Sequence, residues 1–239
     1  MTSWYRFPLF SELTKENSNI EMQVHTDWTD GKNSVEEMIF AASGKGLETF
    51  AFTEHARASS VYFPKFKEKV RTLSSDFPNM KVLCGVEVKI LNFSGDLDLA
   101  PEIESSAEIK LASVHSFPVA KNKRVMAGSF KFEDAANIER DLAVSAIKTG
   151  RADVLAHPGG MCCRFFSKFP LQHFKTIMIA CKDHDVAFEL NYAYHREVIG
   201  DIIELLRAVD PPVSIGSDAH EVSSVGKARD MVREFILNG

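Results

Sequence analysis

Histidines and acids recur at the ends of short apolar runs in this 239-residue chain. Five of the eight histidines lie at, or just beyond, such an end: His25, His55, His115, His157 and His220. The acids at comparable places are Asp30, Glu87 and Asp218. Imidazole and carboxylate groups are the ligands that hold Zn²⁺, Mn²⁺ or Fe²⁺ in proteins. The pattern therefore indicates a site for divalent metals, provided that the fold brings these distant residues together.

Seven apolar runs of strand length could position these residues, and segments with helical spacing separate most of them. The predicted strands are Ile20–Val24, Thr49–Thr53, Val82–Val88, Ile109–Val114, Val154–Ala156, Val186–Leu190 and Val213–Ile215. The predicted helices are Val35–Ser43, Lys65–Ser75, Phe132–Thr149, Leu171–Asp183, Glu197–Val209 and Val222–Leu237. Strands that alternate with helices predict parallel pairing through right-handed crossovers.

This α/β pattern fits either a doubly wound open sheet or a TIM-like barrel. In a barrel the carboxyl ends of all strands converge on one site, whereas an open sheet would spread the same residues along an edge. The position of the histidines and acids therefore favours a (β/α)7 barrel. Because no linker rich in Gly, Pro or Ser divides the chain, we expect one domain over residues 1–239, with the motifs between about 20 and 220.

Seven short motifs follow one another at the predicted strand ends. They are QVHTDWTDG at Gln23–Gly31, TEH at Thr53–His55, GVE at Gly85–Glu87, SVH at Ser113–His115, AHP at Ala156–Pro158, ELN at Glu189–Asn191 and SDAH at Ser217–His220. In these motifs the chain resembles the polymerase and histidinol phosphatase (PHP) superfamily. The resemblance implies a distorted TIM-like barrel of PHP type, a cluster of two or three divalent metals, and hydrolysis of phosphate esters.

The resemblance also implies which residues bind which metal. One metal would take His25, Glu87 and Asp218, a second Glu87, His115 and His157, and a third Asp30, His55 and His220. The family opens with two histidines two residues apart, whereas this chain has Gln23 at the first of those positions. Two alternatives stay open: Gln23 is a metal ligand through its amide oxygen, or one metal binds weakly or is absent. Zn, Mn and Fe share these ligands, so the metal identity also stays open.

Clustered metals suit phosphoryl hydrolysis, because a metal lowers the pKa of bound water from 15.7 to about 7. We therefore predict in-line attack on phosphorus by a hydroxide that the metals supply, without a covalent enzyme intermediate. The planar guanidinium of arginine matches phosphate oxygens. Arg196 and Arg164, on loops after strands, are the candidate catalytic arginines, and Arg57 leaves a strand end on the same face. His195 is a candidate for protonating the leaving oxygen.

The net charge of −5 argues against binding of long nucleic acid through a basic surface. We therefore expect a small phosphorylated substrate, such as histidinol phosphate, a nucleoside monophosphate or a short oligonucleotide. No stretch approaches the roughly 18–20 apolar residues of a membrane span. The segment Met1–Asn19 has no apolar core of signal-peptide type, so a cytoplasmic protein without membrane partners is expected.

Two other functions stay open at this point. An amidohydrolase also places His and Asp at the strand ends of a barrel, but usually with an HxH motif, a bridging lysine and a single late Asp. Here the HxH motif is broken, no lysine lies at a strand end except Lys89 at the third run, and Asp218 is followed by His220. The second alternative is a non-catalytic metal-binding or interaction module with a degraded site, for which Gln23 is the only support.

Overall fold

Seven parallel strands form the central sheet of the computed structural model, which describes residues 5–120 and 123–237. The strands in chain order are β1 (Ile20–Val24), β2 (Thr49–Ala56), β3 (Lys81–Lys89), β4 (Lys110–Ser113), β5 (Phe117–Ala120), β6 (Lys123–Val125), β7 (Val154–Leu155), β8 (Ala187–Asn191) and β9 (Val213–Gly216). The sheet order is β1-β2-β3-β4-β7-β8-β9, while β5 and β6 form a separate antiparallel hairpin.

The sheet curls into a nearly closed barrel, in which the first and last strands meet at their carboxyl ends. His25 N donates to Ala219 O at 2.9 Å, and Ala219 N donates to Gln23 O at 3.2 Å. The predicted α/β fold, a TIM-like barrel, is therefore confirmed. Because the strands are parallel, their last residues all lie at one common end of the barrel.

Nine α-helices are described around this barrel. They are α1 (Val35–Gly44), α2 (Phe63–Ser74), α3 (Pro101–Ser106), α4 (Phe132–Thr149), α5 (Gly160–Phe166), α6 (Leu171–His184), α7 (Tyr192–His195), α8 (Ile199–Val209) and α9 (Lys227–Leu237). Local signals set some of their ends. Ser34 and Glu37 form the capping box that begins α1, and α4 ends at Gly150, whose φ of 63° is left-handed.

Each strand divides its side chains between the helices and the barrel interior, because successive residues point to opposite faces. On β8, Phe188 faces the helices, and its ring lies 6.3 Å from that of Phe174 on α6. Burying one such side chain contributes roughly 1.5–3 kcal/mol. Glu189 and Asn191 alternate with these apolar residues, point inward, and are completely buried. The apolar face thus holds the barrel together, and the opposite face carries polar groups toward its end.

The helices and strands that the pattern did not predict are short: α3, α5, α7, and the hairpin β5–β6, whose first strand contains Pro118. Several predicted boundaries also differ from the structure, including the end of β2 and the starts of three helices. The helix expected from Glu197 begins at Ile199, and the last helix begins at Lys227, because Gly226 has a left-handed φ of 77°. Strand β3 extends to Lys89, which is its last residue. The expectation for the N-terminal segment includes residues 1–4, which lie outside the described part of the chain.

Among the helices of the described residues, we find none with the length and apolar character that a membrane crossing requires.

Candidate metal centre

The carboxylate of Glu87 is the centre of a histidine cluster at the carboxyl end of the barrel. Its Oε1 lies 2.9 Å from the Nε2 atoms of both His115 and His157. Its Oε2 lies 3.2 Å from Nδ1 of His55 and 3.4 Å from Nε2 of His25. Glu87 lies on strand β3, between the strand ends that carry these histidines, and the Glu87 side chain is 1% exposed. Four imidazoles from four different strand ends thus surround one buried carboxylate.

His25 and Asp218 lie next to this centre, at the junction that closes the barrel. Nε2 of His25 is 3.2 Å from Oδ1 of Asp218. Both ring nitrogens of the buried His25 have no hydrogen-bond partner of acceptable geometry in the described residues. Because buried polar atoms normally have a partner, these two nitrogens point to a group that the protein itself does not provide.

Asp30, His55 and His220 form the more exposed part of the cluster. The Asp30 carboxylate lies 3.3 Å from Nε2 of His55 and 3.4 Å from Nε2 of His220. The rings of His55 and His220 both stack with the His25 ring, with centroids 4.4 and 4.5 Å away, and their own centroids lie 6.3 Å apart. The stack joins the exposed part of the cluster to its buried part.

Three sets of ligand atoms in this cluster are close enough to hold a metal, with all atoms of a set within 4.8 Å of one another. The sets are His25, Glu87 and Asp218; His55, Glu87 and His115; and His25, Asp30, His55 and His220. Imidazole and carboxylate donors fit Zn²⁺, Mn²⁺ or Fe²⁺, and the unpartnered nitrogens of His25 support the fit. The residues therefore suit divalent metals, with Glu87 shared between two sets.

The electrostatics of the cluster are those of a buried, mutually compensating group. Burial alone would lower the pKa of His25 and of His157, but the surrounding carboxylates outweigh it and raise each to about 9. Burial alone would raise the pKa of Glu87, but the neighbouring histidines hold it well below its ordinary value. Without a metal, protons would hold the positive charge here, and a metal would have to displace them.

The cluster lines a cavity of about 480 Å³, which continues into a second cavity of about 380 Å³. Arg164, Ala193 and Tyr194 line both of them. Arg196 lines the second cavity and does not line the first. Of the two predicted arginines, Arg164 thus stands at the border of the histidine cluster, and Arg196 lies further out. The joined volume matches that of small-molecule sites.

The sequence matches the profile of the PHP domain over residues 21–192. This chain belongs to the PHP domain family. A probable phosphatase of Photobacterium profundum is 28% identical over 203 residues, which are 81% of this chain and 74% of that protein. The DNA polymerase/3′-5′ exonuclease PolX of Bacillus subtilis is 26% identical over 84% of this chain, but the match covers only 34% of PolX.

Among solved structures, the histidinol phosphate phosphatase of Lactococcus lactis, in complex with zinc, L-histidinol and phosphate, superimposes with a TM-score of 0.73. The superposition covers 92% of each chain at 17% sequence identity, which shows that the fold is shared. The match to the PHP domain and the phosphatase relatives support a hydrolase, a phosphoesterase of the PHP family.

Gln23, which departs from the PHP pattern, is not part of the histidine cluster. With its nitrogen toward Glu189, the buried amide donates to both carboxylate oxygens at 2.9 Å. In the opposite orientation it accepts from Nδ2 of Asn191 at 2.8 Å. In either orientation protein groups occupy the amide, so the expectation that Gln23 is a metal ligand finds no support in its contacts.

The structure contradicts the prediction that His195 protonates the leaving oxygen. The side chain is completely buried and does not line either cavity. Its Nε2 bonds to Pro158 O at 2.8 Å, and its Nδ1 accepts from Asn191 N at 3.1 Å. Burial lowers its pKa to about 4, so the ring is neutral at physiological pH. The bond to Pro158 O instead connects the short helix α7, which contains His195, to the loop after β7.

A layer of buried glutamates, which sequence reasoning did not assign, holds the backbone next to the histidine cluster of this PHP domain. Glu189 accepts from His157 N at 2.7 Å, Glu21 accepts from Ser217 N at 2.7 Å, and Glu54 accepts from Thr26 N at 2.7 Å. Thr26 and Ser217 adjoin His25 and Asp218 in the chain.

Two residues at these bonds, His157 and the neighbour of Ser217, adopt a strained backbone. His157 has a φ of 31° and Asp218 a φ of 52°, both in the left-handed region that is uncommon outside glycine. Such strain persists where the surrounding structure imposes it, and it concentrates at functional sites. The signal in the sequence was an acid inside an apolar strand, as in the run Ile20–Val24, because a buried carboxylate must find donors.

Proposed function

We propose that this protein is a divalent-metal-dependent phosphomonoesterase that acts on a small phosphorylated metabolite. The observation that carries the proposal is the cluster of five histidines and three acids at the end of the barrel, all of which except His25 line one cavity. Arg164 at the border of that cavity supplies the fixed positive charge that a phosphate ester requires.

We assign the metal ligands to the three sets of side chains that meet at Glu87, together with His157, whose Nε2 lies 2.9 Å from the same carboxylate. Bound divalent metals would activate water and neutralise phosphate charge. Glu87 positions two sets of ligands relative to each other. The histidines must lose their protons before they bind a metal, which makes loading of the site dependent on pH.

The arginines orient the substrate in this proposal. Arg164 lines both cavities, so its guanidinium can contact the phosphate while the alcohol part of the ester occupies the outer cavity. Arg196 lines that outer cavity and would contact the far side of the substrate. Burial raises the pKa of Tyr194 to about 12, so its hydroxyl keeps its proton and can donate a hydrogen bond.

Histidinol phosphate is the first substrate to test, because the Lactococcus lactis protein with the shared fold was solved with L-histidinol and phosphate. The two joined cavities, of about 480 and 380 Å³, are suited to a metabolite rather than to a long polymer. The net charge of −5 supports the same choice.

The geometry disfavours the amidohydrolase alternative. The carboxylate of Glu87 takes the position shared between two sets of ligand atoms, where an amidohydrolase would have a bridging lysine. The degraded-module alternative loses its only support, because the contacts of Gln23 are with Glu189 and Asn191, and the three sets form without it.

The test is a panel of phosphomonoesters and phosphodiesters, assayed after chelation and after addition of Mn²⁺, Zn²⁺, Co²⁺ or Mg²⁺. We expect metal-dependent release of phosphate from a monoester, and its loss in His115→Asn. His184→Asn is the matched control, since His184 is exposed at the end of α6. Bound metal without turnover of any ester would favour the non-catalytic module, and activity that chelation does not affect would refute the proposal.

A further inference from the structure

We propose that Arg57 and Lys89 form a second oxyanion subsite beside the metal centre, so that the preferred substrate carries a second anionic group. This inference rests on the proposed function and specifies its substrate class. The second group would be another phosphoryl group or a carboxylate, since both present oxygen acceptors to arginine and lysine.

A separate cavity of about 220 Å³ forms this subsite. Four of the cluster residues line it as well: Asp30, His55, Glu87 and His115. It shares no lining residue with the outer cavity of Arg164 and Arg196. A cavity therefore extends from the metal centre on two sides, and a bound substrate can extend into either of them.

Strand β3 places Lys89 next to the metal centre. Lys89 follows Glu87 by two residues, so both side chains point to the same face of the sheet. Two residues of a strand span roughly 6.6 Å, which sets the approximate separation of the second anion from the reacting phosphate. Arg57 follows the end of the neighbouring strand β2 and lines the same cavity.

Arg57 and Lys89 are the cations that line this cavity, and Arg124 lies outside the lining, beside the residue that follows Lys89. Arg124 donates to Ile90 O and to Ser116 Oγ, both at 2.8 Å, as well as to two further carbonyl oxygens, and all of these acceptors are neutral. In the described part of the chain, the guanidinium of Arg57 and Nζ of Lys89 have no carboxylate within ion-pair distance. Outside the metal cluster, Asp98 is the acid that lines the cavity.

Asp98 is itself engaged, since its Oδ1 accepts from Ala58 N at 2.9 Å. The two lining cations face one carboxylate outside the metal cluster, which leaves about one positive charge without compensation there. An oxyanion between Arg57 and Lys89 would supply the missing charge.

Kinetic selectivity tests the subsite. The probes are butane-1,4-diol monophosphate, its bisphosphate, and 4-phosphooxybutanoate, which distinguish a second phosphoryl group from a carboxylate. We expect kcat/KM to be at least 10-fold higher for one of the two probes that carry a second anionic group than for the monophosphate. Arg57→Ala and Lys89→Met should each reduce that ratio toward 1, and the control Lys175→Met, on the exposed side of α6, should preserve it.

Direct binding provides a readout that does not require turnover. Titration with butane-1,4-bisphosphonate and with butylphosphonate should show at least 10-fold tighter binding of the bisphosphonate, and Arg57→Ala should abolish the difference. Arg57 is exposed, so this variant keeps the fold even if Lys89→Met does not.

The two proposals fail in distinguishable ways. Hydrolysis of monoesters with a selectivity ratio of 1, or a ratio that both variants leave unchanged, overturns the subsite and keeps the proposed function. Selective binding of the bisphosphonate without hydrolysis of any ester overturns the proposed function and keeps the subsite.

Discussion

Glu87→Gln is the substitution that tests the arrangement of the metal centre most directly. The change keeps the shape of the side chain and removes its charge. Glu87 contributes to two of the three sets of ligand atoms, and four imidazoles lie within 3.4 Å of its oxygens. An amide offers one neutral oxygen where the carboxylate offers two charged ones. Both sets should therefore lose their affinity together, while the set around Asp30 and His220 remains.

The expected magnitude follows from this count. Metal per chain should fall to one or none, measured by elemental analysis after dialysis against the assay metal. Loss of a residue that only orients a ligand costs 10–100-fold in affinity or activity, so loss of a shared ligand should lower kcat/KM by more than about 100-fold. Thermal unfolding should also lose most of its shift on addition of metal, because binding to the native state alone stabilises it.

Glu108→Gln is the matched control, since Glu108 is a buried glutamate before β4, at the opposite end of the barrel. It accepts from Cys84 N at 2.9 Å and pairs with Arg71. Its substitution should lower stability and leave metal content and kcat/KM within about twofold of the wild type. If Glu87→Gln instead retains the full metal content, Glu87 does not join the sets and the argument for a shared ligand fails.

Three further predictions concern charge, backbone approach and substrate contact. The free energy of unfolding of the metal-free protein should fall as the pH rises from 6.5 to 9, by about 1.4 kcal/mol per pH unit for each histidine that keeps its proton only in the folded state. The reason is that the folded pKa values of His25 and His157 are raised to about 9. Urea unfolding in chelator measures this fall, and a flat profile contradicts it. Gly216→Ala should destabilise by roughly 1–3 kcal/mol, because its Cβ would overlap a buried carboxylate oxygen, whereas Gly200→Ala, with open space around it, should be neutral or stabilising in the same melts. Arg196→Ala should lower kcat/KM on the preferred monoester by about 10–100-fold, and unchanged kinetics would remove it from the site.

The barrel and its histidine cluster could be predicted from the sequence for one physical reason. Parallel strands share a direction, so residues that follow their carboxyl ends meet when the sheet closes. His25 and His220 are 195 positions apart in the chain, yet their rings lie 4.5 Å apart. No local property of either residue shows this proximity, but the repeated position at strand ends does.

Side-chain direction within a loop could not be predicted in the same way. Position after a strand suggested that His195 faces the substrate, but the single turn of α7 directs it inward, where Pro158 O and Asn191 N bond to its ring. The short elements α3, α5 and the hairpin β5–β6 were missed for a related reason. Periodicity needs several residues on one face, and these segments have between three and seven.

The glutamate layer explains why the departure at Gln23 leaves the cluster intact. The bond from His157 N to Glu189 holds the strained backbone that aims the His157 ring at Glu87. Burial raises the pKa of Glu189 to about 8 and so disfavours its charged form, which the Gln23 amide can stabilise by donating to the carboxylate oxygens. An imidazole at position 23 could accept a proton or a metal in competition with this role, whereas an amide only forms hydrogen bonds. The contacts of Gln23 thus reach the histidine cluster through Glu189 and His157.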